Sequence, residues 1–154
     1  MNIAIGADHR GVENGLELAR LLCEQGHEVV AVHCKPGESC DYPDAAYTVG
    51  KAVASGAADC GILLCGSGIG MSIAANKIHG IRAALVANTI SAEMSRRHNN
   101  ANVLCLSADT LGGKAIGQIV DAWLGAEFEG GRHARRVAKI EAIERGEDPC
   151  TVGD

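Results

Sequence analysis

Cys65-Gly66-Ser67-Gly68-Ile69-Gly70 puts a thiol, a hydroxyl and three glycines into six consecutive residues. A thiol acts as base or nucleophile only as thiolate, and the first turn of a helix favours that form through its free N–H groups and dipole. Gly66, Gly68 and Gly70 let the backbone turn so that those amides point outward, a nest for an anion or an enolate-like oxygen. Without such a nest, a Cys ending an apolar run is more often a small core residue, and Cys23, Cys60 and Cys105 read that way. The run is not a Walker loop, because no Gly-Lys-Ser or Gly-Lys-Thr follows. Nor is it a dinucleotide fingerprint, which belongs after the first strand. Met71 stands where a Cys-x5-Arg phosphatase loop needs its arginine.

Other residues could complete a site around that loop. His98, in His98-Asn99-Asn100, can serve as a general acid near neutral pH, although a helix-end His facing the dipole fits the same spacing. Arg132 and Arg136 lie one helical turn apart, so their guanidinium groups can converge on one phosphate; a solvated basic face fits equally. His27, His33, His79 and His133 show no partner pattern. Asp8-His9 with Asp41 and Asp44 fixes no ligand spacing, so no metal is expected.

Alternating elements position these residues. Apolar runs at 3–7, 29–32, 60–65, 83–87 and 103–106 read as buried strands. Between them, helical periodicity runs from Val12 to Leu22, through Ala46 to Val53, over Met71 to Lys77, and through Ile90, Met94 and His98. Ile116, Ile119 and Trp123 stripe a further helix, and a basic helix spans about 132–145. A polar turn segment runs from Lys35 to Pro43. Five strand–helix alternations predict an α/β fold, a three-layer α/β/α sandwich on a five-stranded parallel sheet. The Rossmann-like, flavodoxin-like order 2-1-3-4-5 is the expected topology. Its crevice opens at the carboxyl ends of strands 1 and 3, where Asp8-His9 and Cys65-Gly66-Ser67 stand. His98 is expected near that same carboxyl edge.

Composition excludes several classes. One domain, 1–154, is expected for a chain of 154 residues. Fourteen Lys and Arg against nineteen Asp and Glu leave a net charge of −5, and four aromatics offer little base stacking; nucleic acid is disfavoured. No apolar run reaches the ~18 residues of a membrane helix, and the first residues lack a signal-peptide pattern. Seven cysteines with no Cys-x-x-Cys argue against a disulfide framework or thiolate zinc site. The expectation is a cytoplasmic protein with reduced thiols.

Taken together, Gly6-Ala7-Asp8-His9, Asp41-Tyr42-Pro43, the 65–70 loop, Ala74-Ala75-Asn76-Lys77, Gly80-Ile81-Arg82-Ala83, Ser95-Arg96-Arg97-His98-Asn99 and Gly130-Gly131-Arg132-His133 resemble the type B ribose-5-phosphate isomerases. That family also holds galactose-6-phosphate and allose-6-phosphate isomerases. The resemblance runs in order over nearly the whole chain. It implies an isomerase without metal or organic cofactor that acts on a phosphorylated sugar as a homodimer, sometimes a tetramer. Cys65 would be the base moving a proton between C1 and C2, with Ser67 standing where many members have threonine. Gly66, Gly68, Ile69 and Gly70 would hold the enediolate oxygens, and Tyr42 would line the substrate site. His98 would open the sugar ring, Asp8 and Asn99 would bind hydroxyls, and His9, Arg132 and Arg136 would hold the phosphate. His98, Asn99 and the C-terminal helix would reach across to the partner subunit. Several relatives carry a phosphate-contacting arginine where Asp109 stands here, with Arg10 as the available substitute. Six-carbon phosphates are the alternative substrates. A non-catalytic sugar-phosphate binder is the alternative of another class, although it would need neither Cys65 nor His98.

Overall fold

The computed structural model describes residues 1–34 and 37–153, so Lys35 and Pro36 of the expected turn segment lie outside the described residues. One parallel sheet is formed by β1 (Asn2–Ala7), β2 (Glu28–His33), β3 (Cys60–Cys65), β4 (Ala83–Leu85) and β5 (Val103–Ser107). The helices are α1 (Val12–Glu24), α2 (Tyr42–Ala54), α3 (Ile69–Ala75), α4 (Thr89–Asn99), α5 (Gly113–Leu124) and α6 (Arg132–Glu144).

The side-chain alternation of the strands divides the core in two. Ile3, Ile5, Ile62, Leu64, Leu104 and Leu106 point to one face, under α1, α4 and α5, where Trp123 is fully buried. Ala4, Leu63, Cys65, Val103 and Cys105 point to the other, under α2 and α3. The α/β/α sandwich is therefore as expected.

The strand order corrects one edge: it is β2-β1-β3-β5-β4, not 2-1-3-4-5. β5 is buried along its whole length and pairs on both sides, with Gly61 opposite Val103 and Ala83 opposite that same residue. β4 has three residues, partly exposed. A short strand suits an edge, where half its backbone groups lack a neighbouring strand.

Local signals set the helix ends. Asn88 caps α4 by accepting from the Ser91 N–H, and Asn100 closes it in the left-handed region. α3 begins at Ile69, two residues before the expected start, because Gly68 (φ +75) turns the chain straight into the helix. α6 packs against α4.

Cys34 and Cys40 form a disulfide, which corrects the expectation of thiols reduced throughout. Their Cα atoms lie 6.1 Å apart, inside the range a bridge can span. One bridge across a short loop is not a framework, and Cys23, Cys60, Cys65, Cys105 and Cys150 are free. Among the described residues no helix is long and apolar enough to cross a membrane.

Candidate active site

At the carboxyl edge, β3 delivers Cys65 into the glycine loop. The residue is 4% exposed, yet its sulfur is not sealed in hydrocarbon: the Gly68 N–H donates to Sγ at 3.1 Å. Gly68 must be glycine, since its φ is positive and a Cβ there would stand 2.5 Å from Leu85 and 3.0 Å from the Leu106 backbone. A Cβ on Gly70 would meet the Tyr42 ring at 2.6 Å, so the start of α2 closes on the start of α3. Ser67 is exposed, and its Oγ accepts from the Ile69 N–H at 3.3 Å.

The loop after β5 fastens this nest from one side. Ser107 Oγ and the Asp109 N–H both donate to the Gly66 carbonyl, at 2.7 and 3.0 Å, and the Ala108 N–H donates to the Cys65 carbonyl at 2.8 Å. The loop after β1 fastens it from the other. The Asp8 carboxylate is buried and accepts from the Arg10 and Gly11 N–H groups at 2.9 and 3.2 Å, which shapes the turn into α1. His9 is exposed, and its Nδ1 donates to the Cys40 carbonyl at 3.2 Å. Arg10 and Asp109 meet above Gly66, with Nε 2.9 Å and Nη2 2.8 Å from Oδ1. Asp109 is thus charge-paired rather than a bare carboxylate in the path of a phosphate.

His98 and Asn99 are not at that edge, contrary to expectation. A helix that follows a strand runs back, and α4 ends beside the amino ends of the strands. Just after it, the Asn102 N–H donates to the Arg82 carbonyl and the Asn102 carbonyl accepts from Gly61. Cys65 lies four residues further along β3, about 13 Å away at strand rise. A second group of charged residues collects at this amino edge. The His98 and His133 rings stack with centroids 4.1 Å apart, Glu129 faces both, and Arg97 binds Glu129 with Nε at 2.7 Å. Arg132 Nε lies 3.4 Å from His133 Nε2, and Arg136 follows one turn on. Asn99 lines an adjacent cavity of about 440 Å³ floored by Ile81, Ala83 and Ile140.

The candidate residues therefore fall into two groups: Cys65 to Gly70 with Asp8, His9 and Tyr42 at one edge, and His98, Asn99, Arg132 and Arg136 at the other. A family model described as Ribose/Galactose Isomerase matches residues 3–140. The chain belongs to this family.

Ribose/galactose isomerase relatives match it almost end to end. "Ribose-5-phosphate isomerase B" of Escherichia coli is 48% identical, covering 93% of this chain and 96% of that protein. "D-erythrulose-4-phosphate isomerase" of Pectobacterium atrosepticum is 45% identical, with 96% and 97% covered. The structure of Clostridium thermocellum ribose-5-phosphate isomerase B superposes with a TM-score of 0.93 at 50% identity, covering 95% of this chain and 99% of that one. The structure of Mycoplasma genitalium ribose-5-phosphate isomerase B with bound ribulose-5-phosphate gives 0.88 at 41% identity, covering 94% and 96%. The chain is accordingly an isomerase of the ribose/galactose isomerase family.

Within that family frame, the thiols separate cleanly. Burial pushes the Cys60 thiol up to about 11 and Cys105 further up, so neither supplies a thiolate. Sequence reasoning missed Glu129 and left His133 without a partner, because their contacts span 31 and 35 positions to His98. It also left His79 unassigned, where Glu144 stands 2.7 Å from its Nδ1.

Proposed function

We propose that this chain interconverts ribose 5-phosphate and ribulose 5-phosphate through an enediolate, with Cys65 as the shuttling base. The supporting observation is the Gly68 N–H aimed at Cys65 Sγ inside a glycine nest. A donor aimed at sulfur favours negative charge there. In the forward step the C2–H bond of the open-chain aldose breaks, its proton goes to sulfur and its electrons form the C1–C2 double bond. The aldehyde oxygen takes the negative charge, and nest amides with Ser67 stabilise it. The O2 proton then moves to O1, and sulfur returns its proton to C1, giving the ketose.

The furanose must open first. The C1–O bond of the ring breaks towards the ring oxygen, which takes a proton from the His98 imidazolium, while the C1 hydroxyl gives its proton to water. Asp8, Tyr42 and Asn99 line and bind the sugar, and His9, Arg132 and Arg136 hold the phosphate. Phosphate binding far from the reacting carbons anchors the open chain. No metal or organic cofactor enters these steps.

Because the two half-sites sit at opposite edges, we assign the complete site to a homodimer. His98, Asn99 and α6 of one copy complete the Cys65 nest of the other. Exposed apolar pairs support self-association: Ile69 and Ile73 on α3 and Ile90 and Met94 on α4, beside Leu85 of the edge strand β4. The place of work is the cytoplasm, in sugar-phosphate metabolism.

The deciding experiment is incubation with ribose 5-phosphate in deuterated water, with and without a chelator. Deuterium at C1 of the ribulose 5-phosphate formed, at a rate the chelator leaves unchanged, is the expected result. Product without label, or loss of activity with chelator, rules out the thiolate shuttle or the metal-free reading respectively. The 45% identity to a D-erythrulose-4-phosphate isomerase favours a four-carbon substrate as the second reading, decided by kcat/KM on four-, five- and six-carbon phosphates side by side.

A further inference from the structure

The side chain of His133 is 6% exposed, and its ring lies parallel to that of His98, 2° apart in plane. Protonating both rings of a face-to-face imidazole pair is disfavoured, because like charges repel at contact. Burial and the charges of His98, Arg132 and Arg136 hold His133 below its ordinary value, opposed by Glu129 alone. His133 Nδ1 is buried without a partner among the described residues.

Glu129 is held from two sides. Its N–H donates to the Arg97 carbonyl at 3.0 Å, and its carboxylate takes Arg97 Nε and Nη2. Arg97 is itself braced by Glu93 at 2.8 Å. The other carboxylate oxygen stands 3.8 Å from His98 Nε2 and 3.6 Å from His133 Nε2. Arg97 keeps the Glu129 carboxyl below the usual carboxylate range, so it is anionic at neutral pH.

The ligand atoms of His98, Glu129 and His133 lie within 4.8 Å of one another, a grouping that invites a metal ion. The stacking argues otherwise. In-plane lone pairs of parallel rings run side by side, and an ion ~2.1 Å from both nitrogens would sit between the planes, off both lone pairs.

We infer that Glu129 and His133 are positioning residues for His98: the pinned carboxylate and the buried ring hold its imidazole in one orientation. This rests on the reading of His98 as the ring-opening acid. From α4, Glu93 and Arg97 surround the pair; from the segment before α6, Glu129; from α6, Arg132 and Arg136.

The test compares two reactions of the full-length chain. Ribulose 5-phosphate has its 5-hydroxyl esterified and stays open-chain, so solvent-deuterium exchange at its C1 needs Cys65 but no ring opening. Glu129→Gln is expected to lose about 10-fold in conversion of ribose 5-phosphate while exchange into ribulose 5-phosphate stays within about twofold. His133→Ser should show the same split, and His133→Phe, which keeps a flat ring against His98, should recover most of the loss. Equal losses in both reactions, no loss in either, or no recovery by Phe overturns the inference. An activity-independent arm follows the histidine rings by NMR. In the wild type His133 should titrate below about 6.5, and lower still in Glu129→Gln. A His133 midpoint at or above that value overturns the pairing, as does stoichiometric Zn²⁺ shifting both ring signals together. A wild type that fails to convert ribose 5-phosphate defeats the isomerase reading instead, and the NMR arm still decides the stack.

Discussion

The two groups of residues proposed to form one site are built from different materials. The carboxyl-edge half is mostly backbone: amides of a glycine turn, a sulfur with a donor 3.1 Å away, and loop carbonyls tied down by Ser107 and Asp109. The amino-edge half is mostly long or ring side chains, held by ion pairs and one ring stack. Backbone donors fixed by strands cost little reorganisation when charge develops, which suits stabilising an enediolate. Charged side chains at the surface adapt and titrate, which suits holding a phosphate and passing a proton. The contrast agrees with the proposed division, in which the rigid edge abstracts the proton and the adaptable one anchors the substrate.

Mutations should sharpen or break that division. Cys65→Ala is expected to lower kcat at least about 100-fold, the scale of losing a general base; steady-state turnover with ribose 5-phosphate checks it, and near-normal turnover moves the base elsewhere. Mixing unfolded Cys65→Ala and His98→Asn chains and refolding them together should restore about a quarter of wild-type sites, since half the random dimers are mixed and each carries one intact site. No recovery would place both halves within one chain. Gly68→Ala should cost about 2 kcal/mol or more through its left-handed backbone and its clash with Leu85, read as a lowered midpoint in urea denaturation, whereas the same change at Gly117, where an added Cβ meets open space, should not.

Gentler changes probe the adaptable edge. Arg132→Ala should raise KM about 10-fold with kcat within about threefold, because anchoring is largely uniform binding; an unchanged KM puts the phosphate elsewhere. The smallest effect concerns pH. His133 is held below its ordinary value of 6.5 in the folded chain, so as pH falls the unfolded chain takes up that proton first. Its contribution to stability is complete above about pH 6.5 and is lost as pH drops through the folded midpoint. Urea midpoints between pH 7.5 and 5 should fall in the wild type and fall less in His133→Phe.

Much of this was legible in the residues. Uniformly apolar runs such as Cys60–Cys65 announced buried parallel strands, and the glycine loop announced itself because its parts are contiguous. The edge order was not legible, since nothing in a run of apolar residues says which neighbour it pairs with. β5 outcompetes β4 for the inner position through length and complete burial. The edge at which His98 stands is set by the direction of α4, which runs back towards the amino ends of the strands, and its sequence neighbour β5 does not reveal it. The Glu129–His133 contacts with His98 depend on α6 folding back onto α4, which no local pattern encodes. The Cys34–Cys40 bridge escaped for a related reason: its five-residue gap matches no ligand or redox spacing.

The distance between the two edges has a kinetic corollary. If neither copy holds a whole reaction centre, a lone chain is inert however well it is folded. At high dilution the specific activity itself should sink, and the observed rate should rise with the square of protein concentration until the pairs are saturated. Such an enzyme is switched on by its own abundance, with no effector required.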